Sequence, residues 1–452
     1  MKTIYFFISM FTMMMLAACS NFLEEKPDIK MVIPKSLNDA ELLLNDYSTM
    51  NAGYPAVGEW GTDEYYVTAE TFDGMMTVDQ RNAYIWKDEP YFDVTQWQGP
   101  YKTVFNANQA LEIISKLGEE AAGEKGQQLS GIAHFFRAFA FQQLTEVFAP
   151  PYDGATASTE MGIPLRLDPA IDKSSERASL KQSYEQIISD YKMAASLLPP
   201  KEAIPGRPSA ASAYAGLARA YLYMAEYEKA YRYADSSLQL HADLLDFNDL
   251  NADIELPIGR FNSEVLFAAI TNNAGPMSLN NGLVDSNLYA SYTDNDLRKL
   301  LFFRSNDYPK DSYSFKGNYD QSLATLFVGL TTSEIYLIKA ECAVRIGKVN
   351  EGLVALNALL KSRFGKNSFT AVAETDTNIL LSIILQERQK ELLFRGRRWS
   401  DLKRLNLDPR FQKTIQRNIQ GLTYSLAPDS RKYAFRLPEP AVLIGKIPQN
   451  LR

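Results

Sequence analysis

Apolar side chains recur every three or four residues along most of the chain, the spacing that places them on one face of an α-helix. Ser36, a good amino-terminal cap, precedes the first such stretch, and the double proline Pro150-Pro151 ends a later one. The pattern therefore predicts a mainly α fold. The predicted helical stretches are 36–47, 95–114, 128–151, 180–198, 208–240, 332–360 and 384–405.

Some of these stretches share a repeat pattern. In 208–240, large and small residues follow the spacing of a tetratricopeptide repeat, a helix hairpin that turns at 225–227. The stretch 332–360 aligns with it, and 132–198 is a looser third copy interrupted by a proline-rich insertion. Because such repeats bury their faces against neighbours, we expect a tetratricopeptide-repeat-like helical scaffold within a single domain, 36–452.

Two long regions, 51–94 and 272–320, lack the helical period and are rich in aromatic residues, with glycine or proline between them. A backbone broken by glycine and proline favours irregular loops at the surface. The aromatic content of both regions argues against disorder. The sequence therefore predicts irregular, aromatic-rich loop insertions that present flat ring faces to a ligand.

The amino terminus carries an export pattern. Ile4–Leu16 is an apolar run after a positive residue, with the length of a signal-peptide core and too short to span a bilayer comfortably. It leads into Leu16-Ala17-Ala18-Cys19, which matches the bacterial lipobox. We expect a signal peptide at 1–18, lipidation at Cys19 and a polar tether over 19–35. The alternative is an ordinary signal peptide with a chance cysteine.

Composition excludes several classes of function. The formal net charge is −7 and basic residues do not cluster with aromatic ones, so we expect no nucleic-acid partner. The chain has two histidines and, besides Cys19, only Cys342, too few for a zinc site or a histidine-dependent triad. No phosphate-binding or dinucleotide-binding motif occurs. The acidic stretch 248–255 lacks the glycine and distal glutamate of a calcium-binding EF-hand loop, which favours capping.

These absences predict a protein that is not an enzyme and needs neither cofactor nor metal. A pair of carboxylates for glycoside hydrolysis stays open, because such pairs form in space and the chain has 54 acidic residues.

The stretch 384–405 gathers the most distinctive residues. Seven charged residues lie beside Phe394 and Trp399, and Gly396 divides the stretch into two helical halves. We expect arginine–carboxylate pairs that hold the two helices at a fixed angle, rather than a catalytic site. The charged residues are Glu387, Arg388, Glu391, Arg395, Arg398, Asp401 and Arg404.

The run E-R-x-x-E-L-x-F-x-G-x-R-W-x-D-L-K-R, complete from Glu387 to Arg404, resembles the carboxyl-terminal signature of the SusD/RagB family. The W-x-x-x-Y pattern from Trp97 and the P-E-P segment near the carboxyl terminus are also similar to that family. Arg395 departs from the family pattern, which usually has glutamate there. The resemblance implies a SusD-like fold and a nutrient-binding lipoprotein of the outer membrane, facing the outside, with a SusC-like TonB-dependent transporter as partner.

The aromatic loops give the hypothesis that the nutrient is a glycan. Sugar rings have apolar C–H faces that stack on aromatic planes, while their hydroxyls need polar side chains nearby. The alternative is that most of these rings pack the loops onto the scaffold, as we expect for Trp97, Trp399 and also Arg137. Peptide capture, a lid for the transporter and a secreted hydrolase are the other hypotheses. The candidate ligand-binding residues are Trp60, Tyr84, Trp86, Tyr91, Tyr289, Tyr292 and Asn295.

Overall fold

The computed structural model describes residues 34–170, 172–173 and 175–452. The predicted signal peptide, the lipidation site Cys19 and nearly all of the tether lie outside the described residues. The first helix begins as predicted at Ser36, whose side chain and Asp39 form a reciprocal capping box. Residues Ser36–Arg452 belong to one compact unit.

Helices dominate the described residues. In chain order they are α1 Leu37–Leu44, α2 Tyr47–Met50, α3 Val57–Trp60, α4 Ala69–Asp73, α5 Val78–Tyr84, α6 Thr95–Leu117, α7 Glu124–Phe148, α8 Leu180–Leu197, α9 Ala210–Tyr223, α10 Tyr227–Leu240, α11 Ser286–Ala290, α12 Arg298–Leu301, α13 Thr332–Arg345, α14 Val349–Lys361, α15 Thr377–Glu391, α16 Arg398–Leu405 and α17 Glu439–Gly445. The mainly α prediction is confirmed.

The longer helices form the predicted repeat scaffold. Each of α6 to α9 packs against the next helix, α10 packs on α13, and α13 packs on α14 and α15. The hairpin turns lie where the sequence places them, with left-handed backbone at Ala225 (φ 58°) and Gly347 (φ 81°). The aromatic rings of Phe135 and Phe139 on α7 pack against Phe267, which joins this scaffold to the segment after α10.

The strands are short and pair only in twos. Pairing is antiparallel throughout, and β1–β5 joins the first aromatic region to the second. The strands are β1 Tyr65–Tyr66, β2 Met161–Pro164, β3 Arg177–Ser179, β4 Val265–Phe267, β5 Leu283–Val284, β6 Phe303–Ser305, β7 Tyr313–Phe315, β8 Leu330–Thr331, β9 Ile415–Ile419 and β10 Leu422–Leu426. The other pairs are β2–β3, β4–β8, β6–β7 and β9–β10.

The aromatic regions are more regular than the sequence indicates. Region 51–94 contains three short helices, and region 272–320 contains two helices and the β6–β7 hairpin. Runs of two to seven residues are too short for periodicity to reveal them. The β9–β10 hairpin, which turns at Gln420-Gly421, was not predicted either.

The stretch 384–405 folds as two helices with a break between them. α15 ends at Glu391 and α16 begins at Arg398. The intervening turn contains two residues with left-handed backbone, Phe394 (φ 55°) and Gly396 (φ 68°). Gly396 thus lies at the junction, as predicted, and Val328 packs so closely on it that a Cβ there would lie 2.5 Å from a methyl carbon.

Buried ion pairs hold this junction. Arg388 Nε donates to Asp401 Oδ2 at 2.8 Å, which connects α15 directly to α16. Arg404 donates to both Asp401 and Glu341, so α16 is also held on α13. No side chain in this group is more than 7 % exposed. The structural interpretation of these charges is confirmed.

A second cluster surrounds Glu391. Arg363 donates to its two carboxylate oxygens at 2.9 and 2.8 Å and to Glu264 at 2.6 Å. Arg298 contacts Glu391 at 3.4 Å and binds Asp296 at 2.8 Å. Burial opposes ionisation of Glu391, but the charge and hydrogen bonds of Arg363 and the charge of Arg298 outweigh it and lower the pKa of Glu391.

Among the described residues, no helix has the length and apolar character needed to cross a membrane.

Substitution of Glu391 by Gln is expected to destabilise the fold strongly, because two buried guanidinium groups lose a charged partner. Breaking a buried pair in this way costs about 3–5 kcal/mol. Urea unfolding of the variant and of the unsubstituted protein measures the difference. Glu228→Gln on α10 is the control, since its pair with Arg232 is exposed and contributes about 0.5 kcal/mol or less. Equal effects of the two substitutions would contradict a structural role for the cluster.

Candidate functional site

The first aromatic region turns its candidate rings inward. Trp60 and Tyr84 are each 1 % exposed, and Trp86 and Tyr91 are also buried. The indole N–H of Trp60 donates to a backbone carbonyl at 3.0 Å, and that of Trp86 does so at 2.9 Å. The guanidinium of Arg417 lies over the Tyr84 ring, 3.6 Å from the ring centroid. The expectation of outward-facing rings is wrong for these four residues, and ligand binding by them lacks the exposed faces it requires.

Glycines beside these rings explain why the sequence was misleading. A Cβ on Gly275 would lie 2.6 Å from the Trp60 ring, and a Cβ on Gly61 would lie 2.9 Å from the Trp399 ring. Glycine is therefore present because indole rings press against the backbone. The same residue type that indicated an open surface loop in the sequence marks tight packing in the structure.

Tyr292, from the second region, is also buried. Its hydroxyl donates to the carbonyl of Lys390 at 2.8 Å, and the ring lies beneath the cations of Arg298 and Lys390. Tyr292 therefore anchors the segment before α12 to α15. Its predicted role as a ligand-binding ring has no accessible face to support it.

Tyr289 has a different position, because it lies half-buried on the short helix α11. Its ring stacks on that of Tyr313 from β7, with centroids 3.5 Å apart and planes inclined by 12°. Phe303 from β6 supports Tyr289 edge-on at 5.2 Å. Tyr313 is half-buried too, and within the described part of the chain Tyr289 is its one ring partner. Because the two rings are stacked, each covers one face of the other, and an outer ring face of the pair is the flat surface left for a ligand.

Polar groups lie next to this pair. The ammonium of Lys299 is 5.5 Å from the Tyr289 ring centroid and 2.7 Å from the carboxylate of Asp294. The Asp294 side chain is 94 % exposed. Asn295 is exposed as well, and its side-chain amide has no hydrogen bond to any described residue. We call the group Tyr289, Tyr313, Lys299, Asp294 and Asn295 the tyrosine platform.

The surroundings of the Tyr289 hydroxyl favour its neutral form. Burial, together with the neighbouring Tyr313 and the charge of Asp294, raises the pKa of Tyr289 to about 12. At physiological pH the hydroxyl can therefore both donate and accept a hydrogen bond. Lys299, paired with Asp294, adds further donors beside it.

Three platform residues, Tyr313, Lys299 and Asp294, are not among the predicted ligand-binding residues. The available signal was the pair of short segments 303–305 and 313–315, whose aromatic residues flank a turn that includes Pro309. A hairpin there would have placed Tyr313 beside the helix that carries Tyr289. Nothing in the local sequence distinguishes Lys299 from other surface lysines, because its position depends on the tertiary fold.

Glu59 and Glu64 are neighbouring buried carboxyl groups with raised pKa values, a property that catalytic carboxyl groups also have. Glu59 Oε1 accepts from the Trp399 amide at 3.1 Å, and Glu64 Oε2 accepts from the Phe394 amide at 3.2 Å. Burial raises the pKa of Glu59 to about 7, and burial with the neighbouring Glu59 raises that of Glu64. Glu59 is 4 % and Glu64 1 % exposed, so this pair has no access to a substrate and gives the hydrolase hypothesis no support.

No cluster of histidine, cysteine and acidic residues suited to a metal ion occurs among the described residues. Just before the acidic stretch 248–255, Asp246 caps a short 3₁₀ helix and accepts from the Asn248 side-chain amide at 2.8 Å. Within the stretch, the Asn251 side chain accepts from the backbone amide of Asp253 at 2.9 Å. Arg137 forms a buried pair with Asp190, as expected for a structural residue.

With the fold and the platform established, comparison with known proteins assigns the chain to a family. A family described as "Starch-binding associating with outer membrane" matches residues 21–222, and the SusD family matches residues 260–437. The chain belongs to the SusD/RagB family. The 387–404 signature, with its buried pairs, lies in the second match.

Relatives support this membership. The SusD-like protein P2 of Formosa agariphila is 25 % identical over 370 residues, which cover 69 % of this chain and 71 % of that protein. A SusD superfamily protein from Bacteroides thetaiotaomicron superposes with a TM-score of 0.75 at 20 % identity, covering 92 % of this chain and 100 % of the other. A SusD-like carbohydrate binding protein from Bacteroides vulgatus gives 0.69 at 18 % identity, with coverage of 91 % and 97 %. The predicted SusD-like fold is confirmed.

The raised pKa of Glu59 predicts a stability that falls with rising pH. Between the ordinary value of 4.5 and about 7, the folded state binds more protons than the unfolded state, so its advantage is lost as pH rises through this range. Glu59 alone contributes a difference of roughly 2 kcal/mol between pH 5 and pH 7. We expect Glu59→Gln to reduce this dependence in denaturant unfolding measured at both pH values.

The control for that experiment is Glu228→Gln, on the exposed surface of α10, which is expected to follow the pH dependence of the unsubstituted protein. If Glu59→Gln kept the full loss of stability between pH 5 and pH 7, Glu59 would be ionised in the folded state throughout that range.

Proposed function

We propose that this protein is a non-enzymatic, surface-exposed lipoprotein of the outer membrane. It binds oligosaccharides or polysaccharides through the tyrosine platform and passes them to a SusC-like TonB-dependent transporter. The observation that carries the glycan assignment is the half-buried Tyr289–Tyr313 pair with polar side chains around it. Family membership, and the carbohydrate-binding name of a structural neighbour, support the same assignment.

The chemistry of the platform suits a sugar. A pyranose ring is apolar on its C–H face, which buries well against a flat aromatic surface. Its hydroxyls lie around the ring edge and need both donors and acceptors. Asp294 accepts, Lys299 donates, and the Asn295 amide does both, so each kind of hydroxyl contact is available beside the rings.

Peptide capture and a pure lid function are the alternatives. A lid would not need an aromatic surface with accessible polar groups beside it, and the platform therefore favours ligand capture. The ammonium of Lys299 already has a carboxylate partner, so the platform offers no unpaired cation to select a peptide carboxylate.

Removal of the Tyr313 ring is expected to weaken glycan binding about tenfold, equivalent to ~1.4 kcal/mol, which is the order of one lost aromatic contact. The protein from Ser20 onward, which includes the compact unit Ser36–Arg452, is screened against a polysaccharide panel by affinity electrophoresis and calorimetry. The retarding glycan is then titrated into Tyr313→Ala and Tyr289→Ala.

The matched control is Tyr231→Ala, which removes a half-buried tyrosine from α10 of the repeat scaffold. If the unsubstituted protein binds a glycan and both platform variants bind it with the same affinity, the glycan site lies elsewhere. Binding of no glycan in the panel would favour peptide capture or a lid that requires its transporter.

Lipid anchoring depends on one side chain, Cys19. Its thiol is the expected attachment point, and Cys342 is fully buried, with its pKa raised by burial, and so is not available for modification. We expect Cys19→Ala to move the protein from the membrane pellet to the soluble fraction after a salt wash, as detected by immunoblotting. Cys342→Ala is the control and should stay with the membranes. Retention of Cys19→Ala would indicate attachment through another contact.

A further inference from the structure

The turn of the β6–β7 hairpin carries a further accessible ring, that of Tyr308. Tyr308 is 82 % exposed, the highest value for any aromatic residue in the described part of the chain, and Phe92 follows with 61 %. Within the same residues, the Tyr308 ring has no aromatic or cationic partner and its hydroxyl has no hydrogen bond. Single exposed apolar residues are common on protein surfaces, so the position of this ring decides what it means.

That position is close to the tyrosine platform along the hairpin. Ser305, the last residue of β6, pairs directly with Tyr313, the first residue of β7. Cα atoms paired across an antiparallel ladder lie about 5 Å apart, and three residues span at most about 11 Å. The Cα atoms of Tyr308 and Tyr313 are therefore within about 16 Å of each other.

Hydrogen bonds fix the turn that carries Tyr308. The backbone N–H of Asn306 donates to the carbonyl of Ser312 at 3.0 Å, and the Asn306 side-chain amide donates to the Ser312 hydroxyl at 3.1 Å. That hydroxyl donates to the carbonyl of Pro309 at 2.7 Å, and the Ser314 hydroxyl donates to Asn306 Oδ1 at 3.0 Å. A turn that is already ordered loses little conformational entropy when a ligand contacts it.

The residues beside Tyr308 repeat the chemistry of the platform. Asp307 and Lys310 are exposed, and neither side chain has a hydrogen bond or an ion pair within the part of the chain that the structure describes. A carboxylate acceptor and an ammonium donor thus lie within two residues of the ring. These are the two kinds of group that the hydroxyls of a sugar need.

We propose that Tyr308 is a second contact for the glycan held on the tyrosine platform, so that the site prefers chains of several sugar units to short ones. The Tyr308 ring contacts neither Tyr289 nor Tyr313, and we expect it to bind a different unit of the same chain. The second contact then forms at a high effective concentration, which raises the affinity for long chains. This inference rests on the proposed function and selects among its possible ligands.

Calorimetric titration with oligosaccharides of increasing length tests the proposal. Partial hydrolysis of the retarding glycan supplies a series from disaccharide to octasaccharide, which is titrated into the protein from Ser20 onward. We expect the affinity of the unsubstituted protein to rise with length. Tyr308→Ala is expected to lower the affinity for the longest oligomer about fivefold, the order of one lost aromatic contact. It should change the affinity for the shortest bound oligomer less than twofold.

Two control variants belong to the same titration. Tyr308→Phe keeps the ring and should bind the longest oligomer within twofold of the unsubstituted protein. Phe92→Ala removes an exposed ring from the first aromatic region and should change no affinity. The proposal is overturned if Tyr308→Ala binds every length like the unsubstituted protein, or if it weakens short and long oligomers equally. A loss in Tyr308→Phe as large as that in Tyr308→Ala would overturn stacking on the ring.

Tyr313→Ala separates this inference from the function on which it rests. If the platform holds the glycan, this variant weakens the binding of every length, the shortest included. An effect of Tyr313→Ala without one of Tyr308→Ala overturns the second contact alone. No effect of Tyr313→Ala at any length, or no binding of any glycan, overturns the platform and the second contact together.

Discussion

Arginine–carboxylate pairs that are wholly or mostly buried recur through this molecule. Arg388 binds Asp401 across the junction of two consecutive helices, whereas the pairs Arg398–Asp63 and Arg397–Glu146 join elements far apart in the sequence. A buried guanidinium without its partner would carry a large desolvation cost, so the pairs act as a geometric constraint: the helices can occupy only the arrangement in which every pair forms. The repeat scaffold, the β1–β5 link and the junction at Gly396 all depend on this arrangement.

The candidate ligand surface follows from how the aromatic residues are distributed around that scaffold. Rings that contact the buried pairs, such as Tyr292 and Trp399, become part of the core. Tyr289 and Tyr313 lie at the margin and are only half-buried, so they keep an accessible part on the tyrosine platform.

Long-range packing explains which features the sequence could predict. Helices with a sustained apolar face were found, as were the repeat hairpins and the role of the 384–405 charges, because periodicity and charge clustering are local properties. The burial of Trp60 and Trp86 could not be predicted from such local patterns. Their glycine neighbours have the same appearance in an open loop and beneath a packed indole, and only the approach of Trp399, more than 300 residues later, separates the two cases. Tyr313 was not predicted because its place in the candidate site depends on stacking against Tyr289, a contact that the local sequence does not show.

The distance between pairing partners along the chain also affects how the protein is made. Asp63 and Arg398 are 335 residues apart, and the Glu59 carboxylate likewise accepts from the backbone amide of the distant residue Trp399. Synthesis makes the amino-terminal part first, so Asp63 and Glu59 lack these partners until the carboxyl-terminal part of the chain has been made. High separation between contacts slows folding and prolongs the exposure of apolar surface. The carboxyl-terminal segment that contains Arg398 and Trp399 is therefore the last segment that the fold needs before it can be completed.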